Sequence, residues 1–232
     1  MKQKILGVIG GLGPETGCMF CLNVNKKFKP LTKRQPHILL DNLPISQEAE
    51  ERLINGGPSK EHLDLLMESV QRLNKLNVSV IVIVCNTVHI FIDELRRLSK
   101  IPILSIIEET ANKCKDMNFM KVGIIGSTKT VESGIHSKEL KKLGIDVVIP
   151  SQIDQRFVSE CIVRIINNTI NDDDKEKMIK IIKTLEKEGA QAIILGCTDL
   201  PLLISKFKSN VPIINTMELL ENAAVSSLLG ES

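Results

Sequence analysis

The feature that most restricts what this chain can fold into is the run Val80-Ile81-Val82-Ile83-Val84, closed by Cys85-Asn86-Thr87. An unbroken run of β-branched residues, too short for an ordinary helix, reads as a strand covered on both faces, as strands of parallel sheets are. Such a strand obliges the chain to supply helices for both sides of a sheet. Where the apolar run stops come a thiol, two residues that cap helices well, and the amphipathic stretch Ile90 to Ser99. Cys85 is therefore expected at the carboxyl end of a strand and the amino end of a helix. Open α/β sheets bind ligands there, and the helix terminus favours a thiolate or a carboxylate.

The same order of strand, Cys, capping residue and helix start recurs in Ala192-Ile-Ile-Leu-Gly-Cys197-Thr198-Asp199. Around it, Lys121-Val-Gly-Ile-Ile-Gly126 echoes Lys4-Ile-Leu-Gly-Val-Ile-Gly10, and Val211-Pro-Ile-Ile echoes Ile101-Pro-Ile-Leu. Three anchors in one order, each repeated at a spacing of about 110 residues, indicate a duplication. The expected fold is α/β, with two similar domains, each a parallel sheet flanked by helices, and a site in the cleft between them. The expected divisions are residues 1–104, residues 105–210, and a C-terminal strand and helix, 211–232, that pack on either half.

In the first half, a strand over Lys4 to Ile9 leads through the glycine loop Gly10-Gly11-Leu12-Gly13 into a helix from about Pro14 to Phe28, with Pro14 in its first turn. A strand from Pro36 to Leu40 follows. Leu43 to Ser59 carries Pro44, Gly56, Gly57 and Pro58 and reads as a mobile flap with a short helix around Gln47 to Ile54. A helix from Lys60 to Leu76 then enters the central strand, and Ile101 to Ser105 and Ile107 to Met117 form a further strand and helix. In the second half, Ser127-Thr128-Lys129-Thr130 is a polar loop, Val147 to Ile149 a strand, and Glu218 to Leu229 the last helix.

Composition narrows the function classes. Of 232 residues, 43% are hydrophobic and 25% charged, which suits a soluble globular protein. A net charge of +2 from lysines dispersed among acids, with no Trp or Tyr, makes nucleic acid an unfavoured partner. No apolar run reaches the roughly 20 residues that span a bilayer, and the amino terminus reads as the first strand rather than a signal. The expected location is the cytoplasm. Six irregularly spaced cysteines are not a disulfide framework and are expected to be reduced; Cys18 and Cys21 form a C-x-x-C inside a helical pattern and read as helix packing. Asp172-Asp173-Asp174 reads as a solvated helix start, and His89 as a structural hydrogen-bonding residue.

Two thiols from equivalent positions, facing each other, suit one kind of chemistry. Exchange of configuration at a carbon needs a base on one face and an acid on the other, and a thiolate and a thiol supply both without a cofactor or metal. The helix terminus is expected to bring a thiol pKa from about 8.5 toward neutral. Cys85, with no charged neighbour in sequence, is expected to ionise before Cys197, which has Asp199 beside it. Other readings are a two-lobed binding protein or a dinucleotide site, because Gly11-x-Gly13-x-x-Thr16 approximates that fingerprint, without its third glycine.

Gly10-Gly-Leu-Gly-Pro-Glu-Thr16, Cys85-Asn-Thr-Val-His89, Ser127-Thr-Lys-Thr-Val-Glu-Ser-Gly134 and Gly196-Cys-Thr-Asp199 together resemble the cofactor-independent aspartate/glutamate racemase superfamily over essentially the whole chain, most closely its aspartate racemase branch. The resemblance implies catalytic thiols at Cys85 and Cys197, no pyridoxal phosphate, a homodimer, and a small amino-acid substrate, aspartate first and glutamate second. It implies substrate contacts from Gly11, Leu12, Asn86, Thr87, Thr128, Thr198 and Asp199. It also implies a basic residue for the distal carboxylate, for which Arg52 in the flap and Arg156 in the second half are the candidates, with Arg164 behind them. Hydantoin racemases, maleate isomerases and decarboxylases are sister activities of the same superfamily.

Overall fold

The computed structural model describes residues 4–13, 15–204 and 208–231; Pro14, expected in a first helical turn, lies outside them. The first half runs β1 (Ile5–Gly10), α1 (Thr16–Thr32), β2 (His37–Asn42), α2 (Gln47–Ile54), α3 (Lys60–Lys75), β3 (Val80–Ile83), a 3-10 turn (Thr87–Phe91), α4 (Ile92–Leu98), β4 (Ile103–Leu104) and α5 (Ile106–Asp116). The second runs β5 (Lys121–Gly126), α6 (Thr128–Ser133), α7 (Ile135–Lys142), β6 (Asp146–Val148), α8 (Gln152–Ile166), α9 (Asp172–Lys187), β7 (Ile193–Gly196), α10 (Leu200–Ile204), β8 (Ile213–Asn215) and α11 (Thr216–Leu229).

Each half holds a four-stranded sheet in which every pair is parallel, ordered β2-β1-β3-β4 and β6-β5-β7-β8. The orders are the same once the repeat is allowed for, so the duplication read from three anchors extends to the topology. In both sheets the strand order reverses between the first and third strands, where doubly wound sheets bind ligands. In the first sheet Ile9 pairs with Ile83, which sets Gly10 and the residues before Cys85 side by side at the carboxyl edge. Gly126 pairs with Gly196 in the second, so Ser127 and Cys197 follow at one level.

Successive strand residues face opposite ways. Leu6, Val8, Val80, Val82 and Val84 therefore share one core with Phe20, Val24 and Phe28 of α1, while Ile9, Ile81 and Ile83 share another with Leu66, Val70 and Leu73 of α3. In the second half Ile125, Ile193 and Leu195 pack on α8 and α9, and Val122, Ile124, Ala192 and Ile194 pack on the far side. The cover of those two inner faces is exchanged. α11, although it follows a strand of the second sheet, lays Met217, Leu220, Ala224, Val225 and Leu228 over the first, and α5 reaches the second with Ala111 and Cys114. The C-terminal segment is thus divided, its strand in one sheet and its helix on the other.

Some local readings need correction. Cys85 is followed by a 3-10 turn rather than a full helix, and neither Asn86 nor Thr87 caps it; their side chains bond across the molecule instead. The expected loop at Ser127 to Thr130 is the start of α6, whose amino end Ser127 caps by accepting from the Thr130 amide. A helix does start at Asp172, with Asn171 and Asp174 forming a reciprocal capping box, but Asp174 is buried against Arg164 rather than solvated.

Candidate active site

The glycine loop is shaped by backbone contact. Gly11 takes φ +78°, and a Cβ there would stand 2.3 Å from the Leu43 carbonyl oxygen, so only glycine lets the flap's first residue close against β1. Gly13, at φ +111°, lies so near the Asp199 carboxylate that a Cβ would meet its oxygens at 3.0 and 3.1 Å. The loop of the first half and the turn after β7 of the second are therefore in contact. An acidic side chain occupies the approach to the loop that a pyrophosphate would need, which weighs against the dinucleotide reading.

Around that contact lies a small cavity, about 30 Å³, lined by Leu12, Cys85, Asn86, Thr87, Ser127, Cys197, Thr198 and Asp199, with Glu50, Leu53 and Ile54 from α2, His62 from α3, and Ile162 and Ile166 from α8. Cys85 and Cys197 are both free thiols, partly exposed to this cavity. The expected residues Leu12, Asn86, Thr87, Thr198 and Asp199 join them, while Gly11 lines an adjoining cavity. Thr128 does not reach the cavity, because its hydroxyl bonds Ser159 at 2.7 Å.

A polar framework fixes the floor. Thr87 Oγ1 bonds the hydroxyls of Ser127 and Thr130 at 3.0 and 2.9 Å across the two halves. Asn86 Nδ2 donates to Thr216 Oγ1, which donates to the Leu195 carbonyl, and Asn86 Oδ1 accepts from His136 Nε2. His89 Nδ1 donates to the Cys85 carbonyl at 2.7 Å and its Nε2 accepts from the Ile106 amide. Burial pushes His89 down to about 4 and His136 to about 3, so both are neutral struts and neither is a proton carrier at neutral pH.

The roof is α2. Ser46 caps it, accepting from the Ala49 amide. Gln47 Nε2 donates to Asn167, Asn167 donates to Glu51, and Lys129 donates to the Gly56 carbonyl, so the flap is fastened to the second half. With the flap in this position Arg52 lies on its outer face, paired with Glu48 at 3.1 Å and half exposed. Arg156 is exposed on α8, and Arg164 is held bidentately by Asp174. None of the three arginines proposed for the distal carboxylate lines the cavity.

Electrostatics also depart from expectation. Burial pushes the Cys85 thiol up to about 11, with Asp199 and Glu50 adding to the shift, and the Thr87 and Val88 amides offset only part of it. Desolvation thus outweighs the turn's amino end. Cys197 goes well above the ordinary thiol range, by burial first and Asp199 second, and its Sγ donates to Asp199 Oδ2 at 3.6 Å. Asp199 itself is pushed up to about 6 by burial. Glu50, which escaped the sequence reading, is raised to about 7 by burial and then by Asp199. Among the described residues no group of three His, Cys, Asp or Glu converges as a metal site, and no helix is long and apolar enough to cross a membrane.

Two parallel α/β halves of one topology each deliver a cysteine from the end of the third strand into one cavity. The chain belongs to the Asp/Glu/hydantoin racemase family, whose model matches residues 9–224, and it is an isomerase of that class. It is 26% identical to the broad specificity amino-acid racemase RacX of Bacillus subtilis, over 97% of this chain and 98% of that protein. Among solved structures it resembles the Picrophilus torridus aspartate racemase, at 27% identity and TM-score 0.78, covering 97% of this chain and 94% of that one. It shares its fold with PH1733, an aspartate racemase homologue from Pyrococcus horikoshii, at 23% identity and TM-score 0.78, with 97% and 99% covered.

Proposed function

We propose that the chain interconverts the enantiomers of a free amino acid by a two-base mechanism in which Cys85 and Cys197 face opposite sides of the α-carbon, with no cofactor or metal. The observation that carries this reading is that two cysteines from equivalent positions of a duplicated fold line one cavity. One thiolate removes the α-proton while the other thiol returns one to the opposite face. Cys197, hydrogen-bonded to Asp199, is the natural proton donor in the resting site, and Cys85, held by the Thr87 and Val88 amides, the natural base. Desolvated thiolates are strong bases, which suits abstraction from carbon.

Aspartate stands first in the sequence reading, and the aspartate racemase from Picrophilus torridus is a structural neighbour. Among the described residues, the cavity lining nevertheless includes no Lys or Arg to receive a second carboxylate. A homodimer working in the cytoplasm belongs to the same proposal, and light scattering on the purified protein checks the first part.

The test of the mechanism is replacement of either cysteine by serine, followed by chiral chromatography and α-proton exchange in deuterium oxide. Each single variant should lose racemisation by at least about a thousandfold, since one face then lacks a competent acid or base. Slow exchange at a single antipode through the remaining thiol is compatible with the mechanism. Parental racemisation rates in both variants would sink it.

A further inference from the structure

Where this fold buries a carboxylate it generally supplies a cation. Asp174, 4% exposed, has Arg164, and Glu221, 3% exposed, has Lys27. Glu50 and Asp199 are the departures: neither forms an ion pair among the described residues, although Asp199 is buried and Glu50 partly so. Unpaired buried carboxylates are costly, and a site that keeps two of them awaits positive charge from a ligand. A second observation points the same way: His62 is 1% exposed, lines the same cavity, and its Nδ1 has no hydrogen-bond partner. Burial lowers the His62 pKa, which favours the neutral ring, and among the described residues the lining holds no Lys or Arg.

The shape of the site then places the charge. The inner cavity, at about 30 Å³, suits little more than a reacting carbon and its two small substituents. Against it lies an outer cavity of about 330 Å³, lined by Gly11, Asn42, Leu43, Gln47, Asn167 and others. Glu50 and Ile166 line both. They form the partition, and a substituent longer than the inner cavity allows has to pass between them. Beyond the partition the lining is amide and aliphatic, and among the described residues Glu50 is its sole charged residue.

Resting on the racemase reading above, we propose that the substrate is a basic amino acid. Its α-carbon lies between Cys85 and Cys197, its side chain passes between Glu50 and Ile166, and its terminal ammonium or guanidinium pairs with Glu50. The α-ammonium answers Asp199 and the side-chain cation answers Glu50, so each carboxylate, until then only hydrogen-bonded, gains an ionic partner. An acidic amino acid would instead add a third carboxylate to the two already there, besides its own α-carboxylate.

The experiment compares L-lysine, L-ornithine, L-arginine, L-norleucine, L-alanine and L-aspartate by α-proton exchange in deuterium oxide and by chiral chromatography. Lysine or its basic homologues should exceed norleucine and aspartate in kcat/KM by about tenfold or more, the size expected of one charge-assisted pair. Glu50→Gln should lower the lysine-to-norleucine ratio by a similar factor, mostly through KM. Ile166→Phe, which narrows the passage without touching the charge, should lower the lysine-to-alanine ratio, and it guards against a Glu50 variant that fails to fold. A preference for aspartate or norleucine, or ratios unmoved in both variants, overturns the basic-substrate assignment while leaving the racemase intact. No exchange with any amino acid overturns both.

Discussion

At the scale of single residues the site is governed by desolvation. Burial raises both thiols and the acidic lining adds to it; Cys197 also donates to Asp199, whereas Cys85 is offset in part by the Thr87 and Val88 amides. Since only the thiolate is alkylated, iodoacetamide should label Cys85 before Cys197, slowly at pH 7 and about tenfold faster per pH unit up to roughly pH 10. Peptide mapping by mass spectrometry reads the two sites separately from Cys18, which is exposed on α1. Equal labelling at pH 7 would contradict this order. The two cysteines were legible in the sequence because a thiol ending a β-branched run is rare and here occurs twice in register. Glu50 was not, since a charged residue in a polar helix reads as solvated. The signal was present in the spacing: Glu50 shares a helix face with Leu53 and Ile54, which are buried, whereas Arg52 shares one with Glu48, which is not.

At the scale of elements, the flap depends on a glycine. Gly11 at positive φ lets Leu43 donate to the Gly10 carbonyl at 3.0 Å and thereby starts the flap against β1. Gly11→Ala adds a Cβ into the Leu43 backbone and a left-handed conformation that L-residues resist, so a loss of roughly 1–3 kcal/mol in urea unfolding is expected. Activity should fall further than stability, because Leu12 and α2 both border the cavity. A neutral effect on both would show that the loop relaxes freely. Element boundaries came through unevenly. The helix at Gln47–Ile54 and the strand at Lys121–Gly126 matched, having clear caps or a clean apolar run. The turn after Cys85 did not, because its hydroxyl and amide groups answer to Ser127, Thr130, Thr216 and His136, partners from the other half that no local pattern announces.

Over the whole molecule, the junction of the halves contains two histidines that must stay neutral. His136 faces Asn86 and lies near His89; His89 faces the Cys85 carbonyl and the Ile106 amide, with Arg96 and Glu108 nearby. Their folded pKa values are depressed below the unfolded value of about 6.5. Their contribution to stability is therefore complete above that pH and is lost as the pH falls toward about 4 and about 3. Glu50 and Asp199, raised to about 7 and about 6, act oppositely: protonated in the fold, they favour it as the pH drops through that window. The urea midpoint of the parent should fall between pH 6.5 and 4, and in Glu50→Gln it should fall more steeply, one opposing group having been removed. A midpoint independent of pH in both proteins would refute this balance.

The exchange of covers between the halves also bears on synthesis. The residues that seal the inner face of the first sheet, Met217 to Leu228, are made only after every strand of the second sheet, so Leu6, Val8, Val80 and Val82 wait for them until the second half has been synthesised. The first half has no complete interior of its own in the meantime and is a natural client for a holding chaperone. Expressed alone, residues 1–104 should be recovered in inclusion bodies, and co-expression with residues 105–232 should return both pieces to the soluble fraction as a complex. A soluble, cooperatively melting 1–104 fragment would show that the borrowed helix is dispensable.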